Sequence, residues 1–205
     1  MSNNEVRCLT RSGTEVASYE DQEKIISCPT LAPGELLFCV LSYEDEYTLD
    51  EIIALDAQTL QPRYRFGLSM LNAVSGLAVV GDELFVCETA NDRLQVFSLA
   101  GEHRRSITGE WKRPVALCLV NDRLYLVEEN ADDADDPELI HPLQGRRIFV
   151  LSLQGETLQV YTNPVEGQFF SDVLCCFDGK LLAPVRSRHS NDNGPIVGVM
   201  ALAGA

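Results

Sequence analysis

The residues with the clearest capacity for chemistry are carboxylates gathered in two short segments. The first comprises Glu44, Asp45 and Glu46, next to Asp50 and Glu51; the second comprises Asp132, Asp133, Asp135 and Asp136, next to Glu128, Glu129 and Glu138. Three interpretations stay open: a solvated run of like charges, a docking site for a basic protein segment, and a calcium site. Calcium prefers such oxygen ligands, but the second segment lacks the glycine and the spaced ligands of an EF-hand loop.

Residues that commonly act in catalysis lie in no recognisable arrangement. His103, His141 and His189 fall in a turn, an insertion and a loop, out of register with one another. This spacing does not support a zinc site. No nucleophile elbow, HExxH motif or usefully spaced Cys/His pair occurs either. We therefore expect no catalytic residue and no cofactor, with calcium on the acidic segment as the alternative.

Charge and cysteine usage limit the classes of partner and the cellular compartment that we expect. The 205-residue chain has a net charge of −15, and it lacks the Lys/Arg clusters that attract phosphates, so nucleic-acid binding is not expected. Its seven cysteines form an odd set without a CxxC motif, which predicts buried free thiols, with a disulfide or metal role as the alternative. No targeting segment or apolar run of membrane-spanning length is visible, so we expect a cytoplasmic protein without a membrane partner.

The elements that would position these residues are β-strands arranged in a repeat. Residues 84–87 match 36–39, 124–127 and 181–184, and each copy is followed by a second strand that closes on a leucine. These leucines, Leu55, Leu99, Leu153 and Leu202, are 44, 54 and 49 residues apart. Such intervals are the period of a four-stranded propeller blade. No stretch has a convincing helical period.

One repeat resembles a known family. Gly76-Leu77-Ala78-Val79, followed by Glu88-Thr89, Asn91, Arg93 and Val96-Phe97, is similar to the pattern of the NHL-repeat β-propeller family. The other repeats keep only the register. The residues of this motif that we interpret as structural are Gly76, Glu88, Asn91 and Arg93. Asn91 is expected in a left-handed turn conformation, and Arg93 is expected to donate to Glu88 or to a neighbouring loop carbonyl.

We predict an all-β protein, a propeller of four-stranded antiparallel blades in a single domain spanning 1–205. The predicted units are a partial blade at 5–19, blades at 20–67, 71–109 and 111–161, and a partial blade at 168–205. This gives about 4 to 4.5 blades and about 17 strands, fewer than the 24 of a six-bladed ring. Three explanations stay open: an incomplete six-bladed propeller, a smaller ring closed by residues 14–19 in the last blade, and completion by a second chain. Exposed blade edges would favour self-association.

The predicted function is a non-catalytic scaffold that binds a protein partner, with a basic segment of that partner as the contact. Loops between blades and loops between second and third strands share one face of a propeller. The predicted binding residues on that face are Arg113, Asp172 and both acidic segments. The resemblance implies membership of a larger ubiquitin-ligase-type or signalling protein. The alternative is a metal-dependent propeller hydrolase or lyase, lactonase-like or amidating-lyase-like, to which Asp172 and Asn72 would contribute ligands.

Overall fold

The computed structural model describes residues 4–43, 49–130 and 143–187, together with the backbone of 196–202. Apart from one 3-10 turn at Thr89–Asn91, every regular element in these residues is a β-strand. The strands are β1 Glu5–Leu9, β2 Glu15–Glu20, β3 Ile25–Ala32, β4 Leu36–Ser42, β5 Asp50–Asp56, β6 Pro62–Leu71, β7 Val74–Val80, β8 Glu83–Glu88, β9 Arg93–Ser98, β10 His103–Thr108, β11 Pro114–Val120, β12 Arg123–Glu128, β13 Arg147–Leu151, β14 Thr157–Thr162, β15 Gln168–Phe170, β16 Cys175–Phe177, β17 Lys180–Ser187 and β18 Ile196–Leu202. The all-β prediction is confirmed.

The strands form four four-stranded sheets and one hairpin. Blade I is β3–β6, blade II is β7–β10 and blade III is β11–β14, each antiparallel and in chain order. In blade IV, β15 and β16 both pair with one side of β17, and β18 pairs with the other side. The first strand of this blade is therefore split in two. The propeller prediction is confirmed by these repeated sheets.

The N-terminal hairpin does not close a ring through blade IV. Its strands β1 and β2 pair only with each other among the described strands. Its apolar side, with Val6, Cys8, Ala17 and Tyr19, packs against blade I. Residues 14–19 therefore do not make the strand pairing that would close a smaller ring. The hairpin instead occupies the position of a preceding blade.

The apolar core is divided among the interfaces between successive sheets. One cluster joins the hairpin to blade I, and three more join blades I to II, II to III and III to IV. Second strands such as β8 and β12 lie between two neighbours, so all but their first residues are buried. Outer strands such as β14 are largely exposed. The stack of sheets thus explains why the second strands are continuous apolar runs.

The first strands of all blades are irregular at the same level. Their register shifts between Ser27 and Thr30 in blade I, around Ser75 in blade II and around Val115 in blade III. Blade IV has the same irregularity in a larger form, because residues 171–174 separate β15 from β16. Bulges of this kind turn a strand and redirect its side chains.

Gly76 allows the first strands of blades II and III to approach closely. A Cβ atom built at this position would lie 2.7 Å from the Val115 carbonyl oxygen and 3.3 Å from Ala116 Cα. Both contacts are with backbone, which cannot move aside as a flexible side chain can. The glycine is therefore required by packing between blades.

We predict that Gly76→Ala lowers the free energy of unfolding by about 1–3 kcal/mol, the usual cost of overfilling a packed site. Urea unfolding followed by fluorescence would measure it, because Trp111 is the single tryptophan and is fully buried in the cluster between blades II and III. The control is Gly81→Asn, where φ is +60° and no atom lies within 4 Å of the new Cβ. Asparagine tolerates this conformation, so a larger loss at Gly81 than at Gly76 would contradict the packing argument.

Candidate functional site: the loop face

The topology brings two sets of loops to one end of the blades, which we call the loop face. One set joins second to third strands, at 43–49, 89–92, 129–146 and 188–195; the other joins successive blades, at 21–24, 72–73, 109–113 and 163–167. Both predicted acidic segments belong to the first set. Their residues Glu44, Asp45, Glu46, Asp132, Asp133, Asp135 and Asp136 lie outside the described residues, but the residues on either side of each segment are described.

The base of the second acidic segment is a buried ion pair. Glu128 is fully buried and accepts hydrogen bonds from Arg147 Nε (2.9 Å) and Nη2 (2.5 Å). Its Oε1 also accepts from the backbone N–H of Lys112 at 2.7 Å. The prediction that grouped Glu128 with a solvated charge run is wrong, because its carboxylate is desolvated and needs these partners.

The two ends of this segment meet and are tied to blade IV. A Cβ at Gly145 would lie 2.8 Å from Asn130 Cα, so the chain leaves and re-enters the blade at one place. The Gly145 carbonyl accepts from the Phe170 N–H at 2.8 Å, and the Arg146 carbonyl accepts from the Asn163 N–H at 2.8 Å. Residues 131–142 are therefore carried on a base that bridges blades III and IV.

Blade II has a shorter version of the same arrangement. Glu88 is fully buried and accepts from Asn91 Nδ2 (2.6 Å), Arg93 Nε (2.5 Å) and Gln95 Nε2 (3.0 Å). Asp92, not Asn91, has the left-handed conformation, with φ of 52°. The expectation for Asn91 is corrected because its backbone lies in the 3-10 turn while its amide serves Glu88.

The turn of blade II also holds the start of blade III. Asp92 Oδ1 accepts from the Arg113 N–H at 2.7 Å, and Asp92 Oδ2 accepts from Lys112 Nζ at 3.0 Å. Thr89 Oγ1 donates to the Pro114 carbonyl at 2.7 Å. These contacts fix the loop between blades II and III.

Blade I uses carboxylates that sequence reasoning assigned to an exposed loop. Asp50 and Glu51 are the first residues of β5 and are both buried. Asp50 Oδ2 accepts from the Val74 N–H of blade II at 2.5 Å. Glu51 accepts from Lys24 and, at 3.0 Å, from Arg65 Nη1. These two acids belong to the framework of the loop face rather than to its solvated surface.

The remaining predicted residues are Arg113, directly before β11, and Asp172, between β15 and β16. Arg113 has φ of 46° and pairs with Glu129, whose N–H donates to the Arg113 carbonyl at 2.8 Å. Asp172 is exposed and accepts from Ser171 Oγ at 2.8 Å. Burial raises the pKa of the Cys28 thiol, with smaller contributions from the Asp50 and Asp172 carboxylates.

The histidines and cysteines form no metal centre in the described part of the chain, where no group of three or more His, Cys, Asp or Glu residues could hold an ion. His103 lies on the outermost strand of blade II, with its Nε2 2.9 Å from Gln95 Oε1. His141 and His189 are outside the described residues. All seven cysteines are free, but Cys175 and Cys176 are exposed, so the expectation of buried thiols is wrong for these two. Burial raises the pKa of Cys39 to about 12 and that of Cys118 to about 11.

Comparison with known proteins supports the architecture alone. No family model and no curated protein sequence matches the chain. A protein of unknown function from Bacteroides caccae has a similar structure, with 10% identity and a TM-score of 0.65 over 98% of this chain and 72% of that chain. Streptogramin B lyase has 13% identity and a TM-score of 0.65 over 98% and 62%, and the WD40 β-propeller domain of Doa1 has 15% identity and a TM-score of 0.61 over 94% and 55%.

These identities are low enough that the likeness concerns fold and not activity. This chain spans about three fifths or less of the solved chains of the lyase and of the Doa1 domain. Within the described residues, no helix has the length and apolar character needed to cross a bilayer. The chain is a β-propeller of four blades whose loop face is held together by buried carboxylates.

We predict that Glu128→Gln lowers the free energy of unfolding by about 3–5 kcal/mol, because it leaves the buried Arg147 guanidinium without its counter-charge. The measurement is urea unfolding at neutral pH. The control is Glu129→Gln, one residue away, whose side chain is 28% exposed and pairs with exposed Arg113. That change should cost less than about 1 kcal/mol. Equal losses in the two variants would show that the Glu128 pair does not hold the base of the segment.

The pH dependence of stability should report on Asp21, at the loop before blade I. Burial raises the pKa of Asp21, but the Glu23 N–H and the Arg65 guanidinium outweigh it, and the net effect lowers the pKa. A carboxyl whose pKa is lower in the folded state stabilises that state above its unfolded pKa of about 4, and this stabilisation is lost as pH falls through the folded pKa. We expect the unfolding free energy to fall below about pH 4, and Asp21→Asn to make that fall shallower. An unchanged acid profile in Asp21→Asn would contradict this assignment.

Proposed function

We propose that this propeller is a protein-interaction scaffold whose loop face binds a basic segment of a partner protein through residues 131–142. The observation that carries the proposal is the fixed base of that segment. Glu128 and Arg147, one on each side of the segment, pair in blade III, and the Gly145 carbonyl accepts from the Phe170 N–H of blade IV.

Charge in this segment is suited to attracting a basic partner. Residues 131–142 contain five carboxylates and neither lysine nor arginine. The neighbouring acids Glu128 and Glu129 already have partners in Arg147 and Arg113. The net charge of −15 extends the same sign over the whole molecule. A local negative potential of this kind speeds encounter with a positively charged segment, and salt screens it.

The remaining proposals concern the class of function, the location and the family. Named neighbours include an enzyme, streptogramin B lyase, and a WD40 propeller domain, so the fold is compatible with both classes of function. Cytoplasmic location and membership of a larger ubiquitin-ligase-type or signalling protein remain predictions from the sequence. The NHL family also remains a resemblance carried by the repeat in blade II.

The second candidate is a metal-dependent hydrolase or lyase, and one observation favours it. Asp172 is exposed and lies between β15 and β16, where the first strand of blade IV is interrupted. Metal analysis of the purified protein tests this candidate. Stoichiometric metal that is lost in Asp172→Asn would replace the scaffold proposal, whereas calcium lost on changing the acidic segment would support the calcium interpretation.

We predict that changing Asp132, Asp133, Asp135 and Asp136 together to Asn slows association with a basic peptide and weakens its salt dependence. The probe is a fluorescent peptide of alternating Lys and Ser, followed by stopped-flow at ionic strengths from about 0.05 to 0.5 M, over which screening becomes strong. The electrostatic part of the association rate should fall by about tenfold or more. Thermal stability should be nearly unchanged, because the base of the segment is intact.

The matched control changes four exposed acids at the opposite end of the blades, with Glu102→Gln, Asp122→Asn, Glu156→Gln and Asp178→Asn. It alters the net charge by the same amount, so it separates local potential from total charge. We expect it to slow association much less. Equal effects of the two variants would contradict a docking role for residues 131–142, and a collapse of stability in the first variant would indicate a structural ion site.

A further inference from the structure

The outward side of blade IV has the side-chain pattern of a sheet face that packs on another sheet. In β17, Leu181, Ala183 and Val185 pack against blade III. The alternate residues Lys180, Leu182 and Pro184 lie on the opposite side of the strand. Residues paired directly across two strands share a face, so Phe177 and Cys175, the register partners of Lys180 and Leu182, also lie on this outward side.

Phe177 is at a position that packs into an interface between blades elsewhere in the chain. It is the last residue of an inner strand before a two-residue turn, as are Val80 in blade II and Val120 in blade III. Val80 packs into the cluster between blades II and III, and Val120 into the cluster between blades III and IV. Phe177 is larger than either, yet it is 72% exposed.

The opposite end of the stack has a different surface. The hairpin β1–β2 covers blade I with one side, and its outward side is exposed and polar, with Arg7 ion-paired to Glu5 and Glu15. Glu20 is paired in register with Glu5 and adds a further negative charge. Two apolar side chains, Leu9 and Val16, are 55% and 58% exposed in the same hairpin. The outward side is therefore acidic with an apolar part.

The two ends are complementary in charge. The outward side of blade IV carries Lys180, and Arg186 continues the alternation of Lys180, Leu182 and Pro184 along β17. Among the described residues, the Nε of Arg186 is buried without a hydrogen-bond partner. On the strands of the hairpin, Glu5, Glu15 and Glu20 outnumber Arg7, and Arg11 lies in the turn. A second copy of this chain thus offers both apolar groups for Phe177 and carboxylates for Lys180.

We propose that the chain associates head to tail, with the outward side of one copy's hairpin packed on the outward side of blade IV of another copy. The hairpin would then lie between blade I of its own chain and blade IV of the next, which continues the stack of sheets across the chain boundary. The interface is heterologous, because different surfaces of the two copies meet. It is distinct from the loop face, so the proposed function and this association can fail separately.

The test uses one variant of each surface. Phe177→Ser with Lys180→Glu alters blade IV and leaves the hairpin intact, whereas Glu15→Gln with Glu20→Gln alters the hairpin and leaves blade IV intact. Sedimentation velocity over a range of concentrations should show association of the wild-type protein. Each variant alone should dissociate about tenfold or more readily. An equimolar mixture should form a heterodimer that grows no further, because only one intact pair of surfaces remains.

Several outcomes would overturn the proposal. A wild-type protein that stays monomeric at every concentration would contradict it. Self-association of the hairpin variant would also contradict it, because it would indicate contact between two blade IV surfaces. Trp111 fluorescence and the urea midpoint verify that each variant is folded. Glu102→Lys, at the opposite end of the blades, is the matched charge control and should associate like the wild type.

Discussion

The structure depends on hydrogen bonds in which polar groups of one blade accept from backbone N–H groups at the start of the next blade. Asp50 of blade I accepts from the Val74 N–H, and Asp92 of blade II accepts from the Arg113 N–H. Between blades III and IV, the Gly145 carbonyl has a similar role and accepts from the Phe170 N–H of β15. Apolar packing between sheets is non-directional, so these directional contacts set how far each blade is displaced along its neighbour. The level at which the first strands bulge follows from that displacement.

This constraint divides the acidic residues into two populations. The buried carboxylates of the loop face all have hydrogen-bond donors inside the framework, so their charges contribute little electrostatic potential outside it. They belong to Asp50, Glu51, Glu88 and Glu128. The carboxylates within residues 131–142 follow Glu128 closely in the sequence. Breaking a buried ion pair is costly, but such a pair contributes little to long-range attraction. A solvated run of charges contributes more to long-range attraction and less to stability. The described base of the loop face is therefore held together by buried, paired carboxylates.

The two ends of the stack differ in what lies on the outer face of the last sheet. At the N-terminal end, a hairpin covers blade I and presents charged residues outward, which is how repeat proteins commonly protect a terminal unit. At the other end, blade IV keeps the apolar pattern of an internal blade, with Phe177 at the position of the partly buried Val80 and the buried Val120. Exposed apolar faces of this kind are typical of interaction surfaces.

The sequence by itself determined the architecture, because period-two alternation, paired turns and a recurrence of 44 to 54 residues are local signals that survive without tertiary contacts. It also located the loops that carry the acidic segments. It did not reveal that Asp50, Glu51 and Glu128 are buried, since a carboxylate next to a loop reads as solvated until a partner from another strand or blade is known. Arg147 follows Glu128 by 19 residues, and Asp50 serves an N–H that is 24 residues away. Only the tertiary structure decides such pairs, because burial raises the cost of an unpaired charge and the fold determines which distant donors can meet it.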